Sequence, residues 1–304
     1  MTHETNRRDA LKCLGLGAGT VFALNGGVFS ALSLDQAAAA PAHTKLMFLQ
    51  ISDTHIGFNK AANPDVGATL ERAIDMVNAL PVQPALVIHT GDVTHLSRAD
   101  QFDEAHQRLS RLRPTEFHVV PGEHDTIDGP GVEFMNRYGA ASGGRGYYSF
   151  DAEGVHFIGL VNVLHFKAGG LGGLGDDQMA WLKDDLAGRS ASQPIVVFAH
   201  MPLWTIYEPW GWGTGESDEI AALLRRFGSV TVLCGHIHQI VQKVEGNITF
   251  HTARSTAYPQ PMAGVGPGPS PLTVPADQLR SMLGLTSVTV RGRGGAVLAD
   301  TTLA

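Results

Sequence analysis

Apolar residues along this chain fall into short runs of strand length, separated by stretches with helical spacing. Leu46-Met47-Phe48-Leu49-Gln50-Ile51 is one such run, and a bounded apolar run of that length predicts a buried strand. Val66, Leu70, Ile74, Val77 and Leu80 then recur at spacings of four and three, which is one helix face. Ala85–Ile88 and Phe117–Val120 predict two more strands, with a helix marked by Phe102, Leu109 and Leu112 between them. Tyr147–Phe150 and Val155–Val161, split by Asp151-Ala152-Glu153-Gly154, predict a hairpin. Met179, Leu182 and Leu186 line a further helix that starts near Asp176 or Asp177. Ile195–Phe198 and Val230–Leu233 are buried strands flanking a helix near Ser217–Phe227. Beyond Gly235 the pattern turns β-rich, with Ile240-Val241 and Ile248–Thr252. Residues 259–275 are rich in proline and read as a loop. A helix near Ala276–Leu283 and a hairpin of Ser287–Val290 with Ala296–Asp300 close the chain. The alternation predicts an α/β fold. No internal repeat is visible, and no Pro/Ser linker divides 43–304, so that span reads as one domain.

The first forty residues follow another pattern. Arg7, Arg8 and Lys12 precede an uncharged run over 13–34. That run is long enough for a membrane span, but Gly15, Gly17, Gly19, Gly26 and Gly27 lower its hydrophobicity and helix propensity. Small residues from Ala37 to Ala42 suit signal-peptidase cleavage after Ala40 or Ala42. Thr5-Asn6-Arg7-Arg8-Asp9-Ala10-Leu11-Lys12 resembles a twin-arginine export signal, with Ala10 where Phe is usual. The expectation is a signal over 1–42, a mature domain over 43–304, recognition by the twin-arginine export machinery, and a periplasmic or otherwise exported location. Cys13 does not read as a lipoprotein cysteine, because Lys12 precedes it and the apolar run follows.

Composition adds three limits. At 304 residues, 17% charged and 43% hydrophobic, whole-chain disorder is excluded. The formal net charge is −7, and removal of 1–42 takes equal numbers of acidic and basic residues. That balance argues against general nucleic-acid binding. The cysteines are Cys13 and Cys234, so the exported chain keeps one thiol and no internal disulfide. Histidine is unusually abundant, at 14.

Those histidines sit where predicted strands end. Asp53-Thr54-His55 follows the first strand, Gly91-Asp92 the second, and Gly122-Glu123-His124-Asp125 the third. His200 follows Ile195–Phe198, and Gly235-His236-Ile237-His238 follows Val230–Leu233. Ligands of open α/β sheets bind at the carboxyl ends of strands. Carboxylates and neutral imidazoles are ligands for Zn, Fe and Mn, and with no Cys cluster a structural zinc finger is excluded. In D-x-H and H-x-H the outer residues reach one side of an extended segment. The set is too large for one ion, whereas two ions about 3.5–4 Å apart can share a carboxylate.

The ordered set D-x-H, G-D, G-N-H-[DE], H, G-H-x-H resembles the calcineurin-like metallophosphoesterase superfamily, with Glu123 the one departure from it. Leu174-Gly175-Asp176-Asp177-Gln178-Met179-Ala180-Trp181-Leu182 also looks like a helix of its cyclic-nucleotide-phosphodiesterase-like branch. The resemblance implies a four-layer α/β/β/α sandwich of two mixed sheets. It implies two divalent or mixed-valence metal ions (Fe, Zn or Mn). One would take Asp53, His55 and His238, the other Glu123, His200 and His236, with Asp92 bridging. It implies that His124 acts near the leaving group and that Asp125 orients a neighbouring histidine. The reaction implied is attack on phosphorus by a metal-bridging hydroxide. The substrate would be a small phosphate ester, with diesters favoured. A phosphomonoesterase on the same site, and a metal-poor protein-binding subunit of the same fold, are the rival readings. Glu123 stands where the family usually has Asn. It adds a charge and removes a hydrogen-bond donor.

Other residues carry further expectations. His89 and His118 read as core histidines. His95 either supports the site or belongs to a solvated loop, and His251 either faces the pocket or does not. Trp204, Trp210 and Trp212 form either a wall at a site entrance or a packing cluster. Ala168–Gly173 lacks the Lys-Ser/Thr of a phosphate loop and reads as a connector.

Overall fold

Short runs of β-branched and aromatic residues set the framework. The computed structural model describes residues 20–25, 28–33, 46–114, 116–165, 169–291 and 295–304. In chain order the elements are β1 (Thr20–Asn25), β2 (Val28–Ser33), β3 (Leu46–Ile51), α1 (Val66–Asn78), β4 (Leu86–His89), α2 (Ala99–Leu109) and β5 (Phe117–Val119). There follow α3 (Val132–Tyr138), β6 (Tyr148–Ala152), β7 (Val155–Gly159), α4 (Asp176–Ala187), β8 (Ile195–Phe198), α5 (Ser217–Leu224) and β9 (Val230–Cys234). The last are β10 (Gln242–Glu245), β11 (Ile248–Thr252), α6 (Ala276–Met282), β12 (Gly284–Val290) and β13 (Ala296–Thr302).

Two mixed sheets result. One has the order β13-β12-β3-β4-β5 and the other β10-β11-β9-β8-β7-β6. In the first, β3, β4 and β5 run parallel while β12 is antiparallel to both its neighbours. In the second, β7, β8, β9 and β11 run parallel, with β6 and β10 antiparallel at the edges. Parallel strands covered on both faces read as continuous apolar runs, and β4, β8 and β9 are buried throughout.

The period of two along each strand sorts side chains into three cores. Leu49, Ile51 and Val87 face α1 and α2, meeting Leu70, Ile74, Val77 and Phe102. Phe48, Leu86 and Ile88 face the other sheet, meeting Phe157, Phe198 and Leu233. Val197, Val232 and Ile158 face α4 and α5, meeting Leu182, Leu186, Ile220 and Leu224. Helices thus cover the outer face of each sheet, giving the expected α/β/β/α layers. The Asp65 side chain caps α1 by accepting from the Ala68 N–H, which satisfies one of its free N-terminal donors.

Three local expectations change. The strand expected at Ile240-Val241 is β10, Gln242–Glu245; it is an exposed edge strand, so it needs no apolar run to mark it. The short α3 begins after Gly131, in the left-handed region at φ +70°, and had no periodic signal. The helix expected to reach Phe227 stops at Leu224, although Phe227 is still buried. Part of the uncharged N-terminal run forms the antiparallel pair β1–β2. Arg7, Arg8 and the Ala37–Ala42 cleavage region lie outside the described residues. Among the described residues no helix is long and apolar enough to cross a membrane.

Candidate metal centre

The loops leaving β3, β4, β5, β8 and β9 meet at one end of the two sheets, and each brings polar side chains. The loops after β3 and β4 continue side by side beyond the strands. Asp53 N–H donates to Gly91 O at 3.1 Å, and His55 N–H donates to Asp92 O at 2.9 Å. Thr54, between the two acidic and imidazole side chains, turns away and donates to Val93 O at 2.8 Å.

Backbone strain concentrates here. Asp53, His55, Asp92, His236 and His238 all have left-handed φ, between +42° and +70°. Each such residue costs of order 1–3 kcal/mol and persists only where its surroundings enforce it. Two glycines let the loops close on one another. A Cβ on Gly122 would run into Asp92 Oδ1, and one on Gly235 into Ser52 Oγ.

Two donor sets emerge. Asp53, His55 and His238 form one, and Glu123, His200 and His236 the other; in each, the donor atoms lie within 4.8 Å of one another. Within the first, His55 Nε2 is 3.2 Å from His238 Nε2, and His238 Nε2 is 3.3 Å from Asp53 Oδ1. Within the second, Glu123 Oε2 is 2.8 Å from His200 Nε2, and Glu123 Oε1 is 2.9 Å from His236 Nδ1. Asp92 Oδ2 lies between the sets, 3.4 Å from His55 Nε2 and 3.4 Å from His200 Nε2. Its other oxygen accepts the His124 N–H at 2.9 Å.

The surroundings fix which ring nitrogens face inward. His200 Nδ1 donates to Thr90 O at 2.7 Å, and His238 Nδ1 donates to Tyr258 O at 2.5 Å. Each turns its Nε2 inward; burial opposes a charge on His200, but Asp92 and Glu123 hold its ring well above the ordinary imidazole pKa, and a cation among these groups would take that proton's place. Asp53 accepts from Ser52 Oγ and from the His236 N–H.

Charge and orphaned atoms together test whether this set suits cations. Asp53 and Asp92 are buried and Glu123 is partly buried, yet every ion-pair partner of these carboxylates among the described residues is a histidine. Uncompensated buried carboxylates are costly. Burial would raise the Asp53 carboxyl, but His238 and His200 hold it down to about 2. Burial likewise opposes ionised Glu123, while His236 and His200 hold it well below the usual carboxylate range. Burial lowers His55, helped by His124 and His238, so it stays neutral. Glu123 Oε2, His200 Nε2 and both ring nitrogens of His236 are buried without a hydrogen bond. Close approach without hydrogen-bond alignment means these lone pairs point at a shared space between them. Buried carboxylates, inward-turned imidazoles and convergent, unpartnered donor atoms fit two metal ions.

Around the sets stand supporting residues. His124 Nδ1 donates to His95 O at 2.7 Å, and the two rings stack at 4.8 Å. His95 Nδ1 is 3.5 Å from His55 Nδ1, so His95 belongs to the site and not to a solvated loop. Asp125 does not orient a histidine. It accepts the backbone N–H groups of Val93, Thr94 and Gly122 and the Thr94 hydroxyl, locking the second and third loops together. Burial and the Asp92 charge push its carboxyl up to about 7. His89 is buried and bonded to Thr54, a core histidine as expected. His118 is half-buried on β5 and stacks on Phe150 at 3.6 Å. His251 bonds Asp300 at 3.0 Å, away from the centre. Trp204, Trp210 and Trp212 are buried and pack inward. Trp204 lies in the α4–α5 core, and Trp210 and Trp212 meet Ile237. They brace the His236–His238 loop from behind and do not wall an entrance. Tyr258 carried no sequence signal, yet its hydroxyl lies 3.2 Å from His55 Nε2.

A family model described as calcineurin-like phosphoesterase matches residues 46–240. The chain is 26% identical over 229 residues to the probable glycerophosphodiester phosphodiesterase GpdQ of Arcobacter nitrofigilis, spanning 70% of this chain and 79% of that one. It is 28% identical over 236 residues to the glycerophosphodiester phosphodiesterase GpdQ of Enterobacter lignolyticus, spanning 71% and 79%. Its fold matches the crystal structure of a dimetal phosphatase from Danio rerio at TM-score 0.63 and 15% identity, over 85% of this chain and 99% of that one.

Proposed function

This chain belongs to the calcineurin-like phosphoesterase family and is a metal-dependent phosphoric ester hydrolase; from that premise we propose that it is an exported phosphodiesterase. Residues 1–42 are its twin-arginine signal and 43–304 the mature, periplasmic or otherwise exported enzyme. Asp53, His55 and His238 would hold one cation and Glu123, His200 and His236 the other, with Asp92 placed to serve both.

The observation that carries the diester reading is the position of Glu123. Its two oxygens meet His200 and His236 at 2.8 and 2.9 Å, so the glutamate at the family's usual Asn position belongs to the donor set. Two divalent ions with Asp53, Asp92 and Glu123 leave one positive charge, where an Asn would leave two. A less positive centre favours a singly charged diester over a dianionic monoester. A mixed-valence pair is the other route that restores the charge. The GpdQ relatives, named as glycerophosphodiester phosphodiesterases, support the same class.

Cations bound there supply Lewis-acid polarisation of a phosphoryl oxygen and lower the pKa of water. The protein does the rest. Thr90 and Tyr258 carbonyls hold the His200 and His238 rings in the ligating tautomer. His95 holds His124 Nδ1 and so leaves its Nε2 for the leaving group. The monoesterase reading is tested by comparing bis(p-nitrophenyl) phosphate with p-nitrophenyl phosphate on the reconstituted enzyme. A higher kcat/KM for the diester is expected; a higher value for the monoester would reverse the assignment. The donor set is complete, which disfavours a metal-poor binding subunit.

A further inference from the structure

We propose that the Tyr258 hydroxyl oxygen is an additional donor to the first cation position, beside Asp53, His55, His238 and Asp92; this rests on the two-cation reading above. Tyr258 lies beyond the residues matched to the family, 46–240. It is 3% exposed. Its hydroxyl lies 3.2 Å from His55 Nε2 and has no other hydrogen-bond partner among the described residues.

A hydrogen bond from the Tyr258 hydroxyl to His55 Nε2 accounts for that one contact but not for the other polar atoms around the same nitrogen, and it is lost once the Nε2 lone pair is on a cation. His55 Nε2 has three polar neighbours: Tyr258 Oη at 3.2 Å, His238 Nε2 at 3.2 Å and Asp92 Oδ2 at 3.4 Å. One ring nitrogen carries a single lone pair or a single proton, so it can satisfy only one of them. His238 Nε2 carries no proton, because His238 Nδ1 donates to Tyr258 O. A cation at the centre satisfies all of them together. Metal–donor bonds of about 2.1 Å at angles of roughly 90–109° put neighbouring donors about 3.0–3.4 Å apart. The spacings found here, 3.2–3.4 Å, fall in that range.

The tyrosine is also held rigidly. Ser255 Oγ donates to Asp53 O at 2.7 Å and accepts the Ala257 and Tyr258 N–H groups. The ring stacks on His55 at 4.8 Å and packs on His238 and Phe58 at 4.7 and 4.4 Å. Apolar packing alone would be served by phenylalanine. A buried hydroxyl aimed at the ligands adds an oxygen donor, which suits Mn or Fe at this position.

Calorimetric titration of the metal-free, full-length chain with Mn²⁺ tests the proposal. Two binding steps are expected in the wild type. Tyr258→Phe keeps the ring and carbonyl and should weaken one step by about tenfold or more, leaving the other unchanged. In the wild type, the near-ultraviolet difference spectrum should show a perturbed tyrosine as the first position fills, and Tyr258→Phe should lack it. Two steps without any tyrosine perturbation, or unchanged affinities in Tyr258→Phe, overturn this proposal and leave the proposed function standing. No uptake by the wild type overturns both. Should the variant fail to fold, the wild-type spectrum alone decides.

Discussion

Glu123→Asn is the substitution that separates charge from shape at this centre. The oxygens of Glu123 stand 2.8 and 2.9 Å from His200 Nε2 and His236 Nδ1, so any cation among them bonds this carboxylate directly. With metal–oxygen bonds of about 2.1 Å on each side of the ion, a substrate phosphate sits about 4–5 Å from the carboxylate. At 5 Å and an effective dielectric of about 20, one pair of unit charges interacts by about 3 kcal/mol. A monoester above its second pKa of about 6 carries one more charge than a diester, so the glutamate penalises it by about that amount. Glu123 is partly exposed, and screening reduces the figure to about 1.4–3 kcal/mol. Glu123→Asn should therefore lower the diester-to-monoester ratio of kcat/KM by about 10–100-fold. The assay is paired kinetics on bis(p-nitrophenyl) phosphate and p-nitrophenyl phosphate at pH 8, with metal content measured in each sample. If the ratio, the metal content and the metal preference all stay unchanged, Glu123 does not tune the centre and the charge argument is refuted.

Other predictions follow from the same geometry. Asp92→Ala should abolish turnover and lower metal content together, since one oxygen of Asp92 serves both donor sets. Its loss should exceed that of His95→Ala by well over tenfold, about 1.4 kcal/mol of barrier, and equal losses would mean the site is misassigned. Arg7→Lys combined with Arg8→Lys should leave the precursor unprocessed inside the cell; normal export of that double variant, followed by fractionation and immunoblotting, would exclude twin-arginine dependence. Asp300 on β13 meets His251 on β11 across the sheets at 3.0 Å. Burial would raise its carboxyl, but His251, Thr286 and Arg254 hold it below the usual range. A depressed carboxyl stabilises the fold above its unfolded pKa of about 3.9 and loses that contribution as pH falls through the folded value. Asp300→Asn should thus cost about 1 kcal/mol at pH 7, and thermal melts should show the gap to wild type closing below about pH 4.

The sequence made the ligands legible because they stand in short spacings at strand ends, where close loops restrict residue type. Asp53, His55, Asp92, His200, His236 and His238 each follow an apolar run, and the strained backbone at five of the loop residues leaves no trace in composition that could mislead. Tyr258 was invisible, because its contact depends on the Ser255 turn folding back onto Asp53 and no spacing announces that. Asp125 stood beside His124 in sequence, yet its carboxylate turns toward backbone donors of another loop. The tryptophans were ambiguous because an aromatic loop reads alike whether it faces solvent or core. β10 was displaced because an exposed edge strand has no hydrophobic pattern to locate it.

Anomalous diffraction from crystals of the reconstituted, full-length enzyme, recorded at the absorption edge of the metal supplied, tests the central claim most directly. Two peaks about 3.5–4 Å apart are predicted. One should lie among Asp53, His55 and His238, the other among Glu123, His200 and His236, with Asp92 between them. A single peak, peaks outside these residues, or none at all would contradict the two-cation centre.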